Sequence, residues 1–409
     1  MAVLRNPSLL ALVAAQLVSG LGSQMTYLAL PWFVLATTGS AAKMGIVLAV
    51  EMAPVALLGI PSGTVIARLG ALQAMRVADL ARAPLMASVP LLHALGVLGF
   101  PLLLVIVFAI GCFLAPFMAS QRVVVAELVG DDPATLGQAN AIVEGANRAT
   151  SLLGPALAGV LIAAIGPTNL LYVDAATFLL AFLTLTLFVP RRPPVPATDE
   201  SRGVFAGLRF LARDALLWRI GLTAVFLNMF GAGLALSLPV LAYEEYGGSS
   251  RVAGLFFACF GAGALLGTVL AMRLLPRFRP LRIAAVSIVA MMLPLWLLGV
   301  ELPAWAVMAA LVASAIPQPL VNAPILALII GRAPEPLRPK VMTSLMTLAM
   351  LAGPLGLLAA GPLLERLGPR PVFLVIAAGM TFFALFFAWI AVRHGEPRAR
   401  VGELVADPN

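Results

Sequence analysis

Glu144 and Arg148 are two charged residues inside a long apolar stretch of this 409-residue chain. Their spacing of four places them on one face of an α-helix, where they can form an ion pair. In a helix that begins near residue 136, a rise of about 1.5 Å per residue places them roughly 12 and 18 Å from its start. A lipid hydrocarbon layer is about 30 Å thick, so both lie near its middle. We predict that Glu144 titrates under the control of Arg148; the alternative is a static, neutralising pair.

Glu51 is a third candidate, because it lies in the middle of an apolar stretch without a charged partner in its own turn. An unpaired carboxyl in that environment favours its protonated form. It is a candidate proton carrier or contact for a cationic substrate. The alternative is a neutral acid that forms a hydrogen bond with a neighbouring helix. We assign Glu51, Glu144 and Arg148 to proton coupling.

Asp79 and Arg82 lie one helical turn apart near the end of another apolar stretch. We expect them to form a conformational gate, with Asp79 paired to Arg68, to Arg76 or to the stretch that holds Glu144. The alternative is a direct part in transport chemistry. Asp174 lies about 9 Å from the nearer end of its own stretch, and we expect an interfacial or capping role there, with coupling as the alternative.

The composition indicates what positions these residues. The chain is 61% hydrophobic and only 11% charged, whereas a soluble protein has about 25% charged residues. Stretches of about 20 apolar residues fit a bilayer. Twelve are predicted, at 7–36, 42–66, 73–95, 98–122, 136–165, 168–189, 216–243, 252–275, 281–300, 303–330, 339–367 and 370–393. The predicted fold class is an all-α membrane protein with twelve transmembrane helices.

Basic residues give the predicted orientation. Most of the 26 Lys and Arg residues fall on the side of the N-terminus, and those on the other side are Lys43, Arg251, Arg366 and Arg370. Positive loops face the cytoplasm. We predict a multi-pass protein of the bacterial cytoplasmic (inner) membrane, with both termini cytoplasmic.

An internal repeat divides the chain. Gly154-Pro155 recurs as Gly353-Pro354, about 200 residues later. We predict two pseudo-symmetric six-helix bundles, at 1–190 and 216–394, a cytoplasmic linker at 191–215 and a cytoplasmic tail at 395–409.

Other site types are not predicted. Cys112 and Cys259 fall in separate apolar stretches, and His93 and His394 stand alone, so neither a disulfide framework nor a metal site is expected. The basic residues are spread between stretches, which argues against nucleic-acid binding. We expect no cofactor and no enzyme activity, because a membrane-embedded enzyme needs a catalytic cluster. A sensor is a further alternative, although no signalling domain remains outside the stretches.

Several motifs together resemble the major facilitator superfamily, in particular its drug:proton antiporter branch with the macrolide-efflux and Tap-like pumps. They are Ala29-Leu30-Pro31-Trp32 to Thr38-Gly39-Ser40, Ala78 to Ala83, Asn140 to Gly159, Met342 to Leu345, Ala352 to Leu357 and Ala360-Gly361-Pro362. The resemblance covers the whole chain.

The resemblance implies roles for further residues. In this family the first, fourth, seventh and tenth helices line a cavity. The residues that the resemblance predicts to contact the substrate there are Gln24, Tyr27, Asn228, Gln318 and Asn322. The alternative for each is a hydrogen bond between helices. The loop that holds Arg68, Gly70 and Arg76 resembles the family's gate loop. Gly154-Pro155 resembles the family's antiporter motif, and a bend there or at Gly353-Pro354 is a predicted rocking point, because Pro kinks a helix; ordinary helix packing is the alternative. Ala67 stands where the family has an Asp, so Asp79 is a candidate substitute.

The implied activity is proton-coupled efflux of amphipathic drugs by alternating access. The alternative is export of an endogenous metabolite, siderophore or lysophospholipid. The expected partners are a small-molecule substrate, protons and membrane lipid, with the chain acting as a monomer.

Overall fold

The computed structural model describes residues 6–130, 132–190, 206–334 and 337–393, and its regular elements in these ranges are helices. The α-helices are α1 (Pro7–Thr38), α2 (Ala41–Leu69), α3 (Ala71–Ala94), α4 (Phe100–Val129), α5 (Pro133–Phe188), α6 (Ala206–Arg213), α7 (Ala215–Glu245), α8 (Ser250–Leu274), α9 (Pro280–Met292), α10 (Ala304–Ala315), α11 (Gln318–Arg332), α12 (Arg338–Leu367) and α13 (Pro369–Arg393). The predicted all-α class is confirmed.

Long apolar helices make this a multi-pass membrane protein. In the described ranges, 8 helical segments are long and apolar enough to cross a bilayer; one of them, Pro280–Gly299, continues α9 beyond its end, and another, Ala304–Arg332, joins α10 to α11. One of them, α5, is bent at Gly166, whose φ of 82° interrupts the helical backbone just before Pro167. The break falls between the predicted stretches 136–165 and 168–189. The total of twelve spans stays a prediction.

Two predicted spans are interrupted. The stretch predicted at 281–300 changes from α9 to a 3-10 helix at Leu293–Gly299. The stretch predicted at 303–330 is divided between α10 and α11, next to Pro317. Proline has no backbone N–H group and clashes with the preceding turn, which explains an interruption at these sites.

The chain forms two helical groups, α1–α5 and α7–α13. They pack against each other mainly along α5 with α8 and along α2 with α12. Each of these pairs joins a helix of the first group to a helix of the second, so the space between the groups is bordered by α5 and α8 on one side.

The two groups are joined at one end, which we call the closed end. A Cβ added at Gly254 of α8 would lie 2.8 Å from the Cα of Gly159 in α5. Ser250 donates a hydrogen bond of 3.1 Å to the carbonyl of Gly159. On the opposite side, the Glu365 carboxylate of α12 accepts hydrogen bonds from Ser40 and from the backbone N–H of Ala42, at the start of α2. Small residues and a capped helix start therefore allow close backbone contact.

The groups separate at the other end, which we call the open end. Gly145 lies 14 positions before Gly159 on α5, about 21 Å along the helix. Within the described part of the chain, a Cβ at Gly145 would have no neighbouring atom within 4 Å. By the predicted orientation, the open end faces the cytoplasm.

Residues 191–205 of the predicted linker lie outside the described residues, and α6 is a helix that packs on the second group. Leu211 of α6 is buried against Leu217, Ile329, Ala333 and Val341. Asp214 then caps α7 by accepting two backbone hydrogen bonds and pairs with Arg332 at 3.2 Å. Partial burial by itself raises the pKa of Asp214, but the backbone hydrogen bonds and Arg332 together hold that pKa below its ordinary value. The helix start is thus fixed beside the end of α11.

Gly159→Ala is expected to weaken the closed end, because its Cβ would lie 2.7 Å from the carbonyl oxygen of Ser250. Overpacking of this kind costs about 1–3 kcal/mol. We expect a lower melting temperature and a longer spin-label distance between α2 and α12 at the closed end. Gly145→Ala is the matched control on the same helix. Equal effects of the two substitutions would contradict the close-packing argument.

Candidate functional site

A cavity of about 400 Å³ lies between α1, α5 and α8. Its lining residues are Gln24 and Tyr27 of α1, Glu144, Asn147, Arg148, Ser151, Leu152 and Pro155 of α5, and Phe257, Phe260, Gly261, Ala264, Leu265 and Thr268 of α8. Helices of both groups therefore form its wall. Its volume is in the range of small-molecule sites.

Glu144 and Arg148 form the charged part of this wall. Their side chains pair at 3.0 Å, and they are 58% and 63% exposed, respectively. The structure thus contains the ion pair that the spacing of four predicts, in an open cavity rather than in a sealed interior. An exposed pair contributes only about 0–1 kcal/mol, so other charged groups can replace either partner. The proton-coupling role of the pair stays a prediction.

The residues of α1 connect the cavity to both groups. Gln24 donates a hydrogen bond of 2.8 Å to the Ser151 hydroxyl of α5. The Tyr27 ring meets the Phe257 ring of α8 edge to face, with a centroid distance of 6.2 Å. Both predicted contacts of the first half therefore lie where a bound molecule would meet them.

The predicted contacts of the second half do not line this cavity. Asn228 is exposed and donates a hydrogen bond of 2.8 Å to the carbonyl of Ala224 in its own helix. Gln318 begins α11, and Asn322 is exposed one turn later. The sequence pattern did not predict the break between α10 and α11, which lies directly before Gln318.

Asp79 and Arg82 lie in the interior of the first group. Asp79 is fully buried and pairs with Arg82 at 2.6 Å. Arg76 donates hydrogen bonds of 2.7 Å to the carbonyls of Leu185 and Val189. Asp79 is thus paired with Arg82 in its own helix, whereas the expected partners were Arg68, Arg76 or the stretch that holds Glu144.

Asp174 is a residue whose environment was predicted wrongly. It is fully buried, and it accepts hydrogen bonds from Thr26 at 2.6 Å and from Thr177 at 3.1 Å. An interfacial or capping role does not fit this position. An acid within an apolar stretch was the sequence signal for a buried position. Its partner Thr26 on α1 is 148 residues away, so the sequence did not indicate this contact.

Comparison with known proteins identifies the family. A profile of the Major Facilitator Superfamily matches residues 12–342 and 222–406. The chain belongs to the major facilitator superfamily. It is a transporter of that superfamily, as the resemblance implies.

Relatives of known name agree with the family. The multidrug efflux pump Tap of Mycolicibacterium fortuitum is 28% identical over 421 residues, with 99% of each chain covered. The enterobactin exporter EntS of Citrobacter koseri is 31% identical over 190 residues, which cover 43% of this chain and 45% of the relative. The crystal structure of the nucleoside transporter NupG has a TM-score of 0.73 and 13% identity, and it covers 93% of this chain and 98% of that chain. This last likeness shows the superfamily fold alone.

The predicted gate loop between α2 and α3 is a single residue, Gly70. Gly70 joins α2 to α3 with a φ of 82°, which favours glycine over residues with a Cβ. Arg68 is exposed in the last turn of α2. The gate role of Arg68, Gly70 and Arg76 stays a prediction.

The two Gly-Pro pairs have different neighbours. A Cβ at Gly154 would meet the backbone of Gln24 in α1, at 3.3 Å from its Cα, within the first group. A Cβ at Gly353 of α12 would lie 3.2 Å from the Cε of Met52, across the groups. Pro155 and Pro354 both lie inside helices. The pairs that match in sequence are thus not equivalent in packing, and their role as bending points stays a prediction.

Water access to the cavity can be tested on neighbouring positions of α8. Leu265 lines the cavity and is 42% exposed, whereas Leu266 is 57% exposed and is not part of the lining. In a chain with Cys112 and Cys259 replaced by Ala, we expect Leu265→Cys to react with a water-soluble maleimide at least about tenfold faster than Leu266→Cys, because reaction requires a hydrated thiolate. Equal rates would contradict an aqueous cavity bounded by α8.

Proposed function

We propose that this transporter is a proton-driven exporter of amphipathic small molecules, which enter the cavity from the open end. The observation that carries the proposal is an exposed ion pair on α5 that faces aromatic side chains of α8 across one cavity. A molecule with an apolar body and a charged group would contact both walls. Similarity to the multidrug efflux pump Tap along 99% of the chain supports export.

Each wall has a separate task in this proposal. Glu144 attracts a cationic group, and Arg148 is released from its partner when that group binds. Phe257, Phe260 and Tyr27 contact the apolar or aromatic body, and their rings also favour a nearby cation. The exposure of Glu144 favours substrate recognition over the proton-carrying role that its sequence context predicts.

Alternating access is the proposed transport cycle. The two predicted bundles would rock about the cavity, as in other transporters built from repeats. The glycine contact of α5 with α8 and the Glu365 contact of α12 with α2 would separate as the closed end opens. In the proposed orientation both termini are cytoplasmic, in the bacterial inner membrane, and the exporter works as a monomer.

Export of an endogenous metabolite is the second candidate. The similarity to the enterobactin exporter EntS, at 31% identity over 190 residues, favours it. Comparing an amphipathic dye with metabolites accumulated by a deletion strain separates the two candidates.

Ethidium is a suitable probe for the proposed export, because it is a fluorescent aromatic cation. Expression in a bacterial host that lacks its major pumps should lower ethidium accumulation, and a protonophore should restore it. We expect Glu144→Gln to weaken apparent affinity for ethidium about fivefold, which corresponds to the loss of about 1 kcal/mol of charge pairing at an exposed carboxylate. The export of a neutral dye should change little.

Glu301→Gln is the matched control, because Glu301 is exposed outside the cavity. If wild-type cells accumulate as much ethidium as cells without the protein, export of cationic amphipaths is wrong. If Glu144→Gln abolishes the export of neutral and cationic dyes equally, the carboxylate acts in coupling rather than in recognition.

A further inference from the structure

A second polar site lies inside the first helical group, separate from the cavity. Asp79 of α3 and Asp174 of α5 are fully buried, and Arg82 of α3 is 3% exposed. Glu51 of α2 is partly buried, and the charges of Asp174 and Arg82 both act on it. We call Glu51, Asp79, Arg82 and Asp174 the buried cluster.

Aromatic rings hold the one cation of the buried cluster. The Arg82 guanidinium lies 4.6 Å from the centre of the Phe117 ring of α4 and 4.2 Å from that of Phe178 in α5. These contacts stabilise the cation and keep it in place. With all three carboxyls ionised, the buried cluster would hold two more negative than positive charges, which is costly away from water.

One oxygen of the buried cluster has no partner. Asp79 accepts hydrogen bonds at Oδ1 from Arg82 at 2.6 Å and from Ser19 at 3.4 Å. Its Oδ2 atom is buried and has no hydrogen-bond partner among the residues that the structure describes. A charged carboxylate oxygen left in this state is expensive, and binding of a proton removes the charge.

Helix α1 lies between the buried cluster and the cavity. Ser19 and Thr26 are seven residues apart, which places them on one face, and they donate to Asp79 and Asp174. A Cβ at Gly22, on the same face, would clash with the Asp174 and Thr177 side chains, so the α1 backbone touches these groups. Gln24 and Tyr27 point to the cavity instead.

We propose that the buried cluster is the proton-binding site of this transporter, and that α1 transmits its protonation state to the substrate cavity. The inference rests on the proposed function, since it names the site of the coupling ion. A proton binds to a carboxylate oxygen, with Asp79 Oδ2 as the first candidate, and forms an O–H bond. The Asp79–Arg82 pair then weakens, and Arg82 is balanced by Asp174 and Glu51. The hydrogen bonds that hold α1 change in the same step.

Proton binding can be measured without any drug. Infrared difference spectra of the full chain in lipid vesicles, recorded as the pH is lowered, should show the carbonyl band of protonated carboxyl groups. We expect Asp79→Asn and Asp174→Asn each to remove part of that band, and Glu301→Gln, at an exposed acid, to leave it unchanged. A band that is the same in both aspartate variants as in the wild type overturns the assignment.

Thr26→Val provides a second test that keeps every carboxyl. Removing the hydroxyl donor makes the charged form of Asp174 less favourable, so the midpoint of the band should move to higher pH by about one unit. Ala14→Val, at an exposed position of α1, is the control. A midpoint that does not move in Thr26→Val contradicts the role of Asp174.

Coupling is tested with ethidium in proteoliposomes. We expect Asp79→Asn and Asp174→Asn to retain exchange of ethidium across the membrane at equal pH and to lose accumulation driven by a pH gradient. If the wild type itself shows no gradient-driven accumulation, the proposed proton coupling fails. If the wild type accumulates ethidium and both variants do so equally, only the buried cluster is wrong.

Discussion

The Arg82 guanidinium packs against two aromatic rings in the interior of the first helical group. Its positive charge must be balanced there, and this requirement constrains the residues around it. A cation away from water requires a carboxylate partner, which Asp79 provides at 2.6 Å. The first group also buries Asp174, whose oxygens accept hydrogen bonds from Thr26 and Thr177. These hydrogen bonds favour the register of α1 that brings Ser19 and Thr26 to these oxygens.

This constraint links the interior to the cavity. One face of α1 is fixed by hydroxyl donors and by Gly22, while the other presents Gln24 and Tyr27 to the space shared with α8. A change of charge on one side of α1 reaches the other side through a single rigid helix. The exposed Glu144–Arg148 pair and the sealed Asp79–Arg82 pair thus have different surroundings, although both pairs lie within one helical turn. Water around the Glu144–Arg148 pair screens the attraction between its charges, whereas the absence of water around the Asp79–Arg82 pair strengthens that attraction.

Close backbone contact at one end gives the two groups their relative position. Gly159 and Gly254 leave no room for a side chain between α5 and α8, and Glu365 caps the start of α2 from the other group. The open end has no such contacts at Gly145. Close contact at one end and space beside α5 at the other agree with the proposed cycle of alternating access.

The sequence by itself determined the features that depend on residues near one another in the chain. Apolar stretches predicted a helical membrane protein, and the spacing of four predicted the Glu144–Arg148 pair, because a helix makes that contact locally. Family motifs along the whole chain predicted the superfamily. The interruptions beside Leu293 and Pro317 were missed, since apolar composition alone does not fix where a proline breaks a helix.

Only the tertiary structure decided how separate helices meet. Asp79 reaches Ser19 across 60 residues, and Asp174 reaches Thr26 across 148 residues. Asn228 and Gln318 do not line the cavity that Gln24 lines, because the orientation of each helix depends on packing against distant partners. The end at which the groups join follows from the same packing, since it depends on glycines that come together only when α5 meets α8.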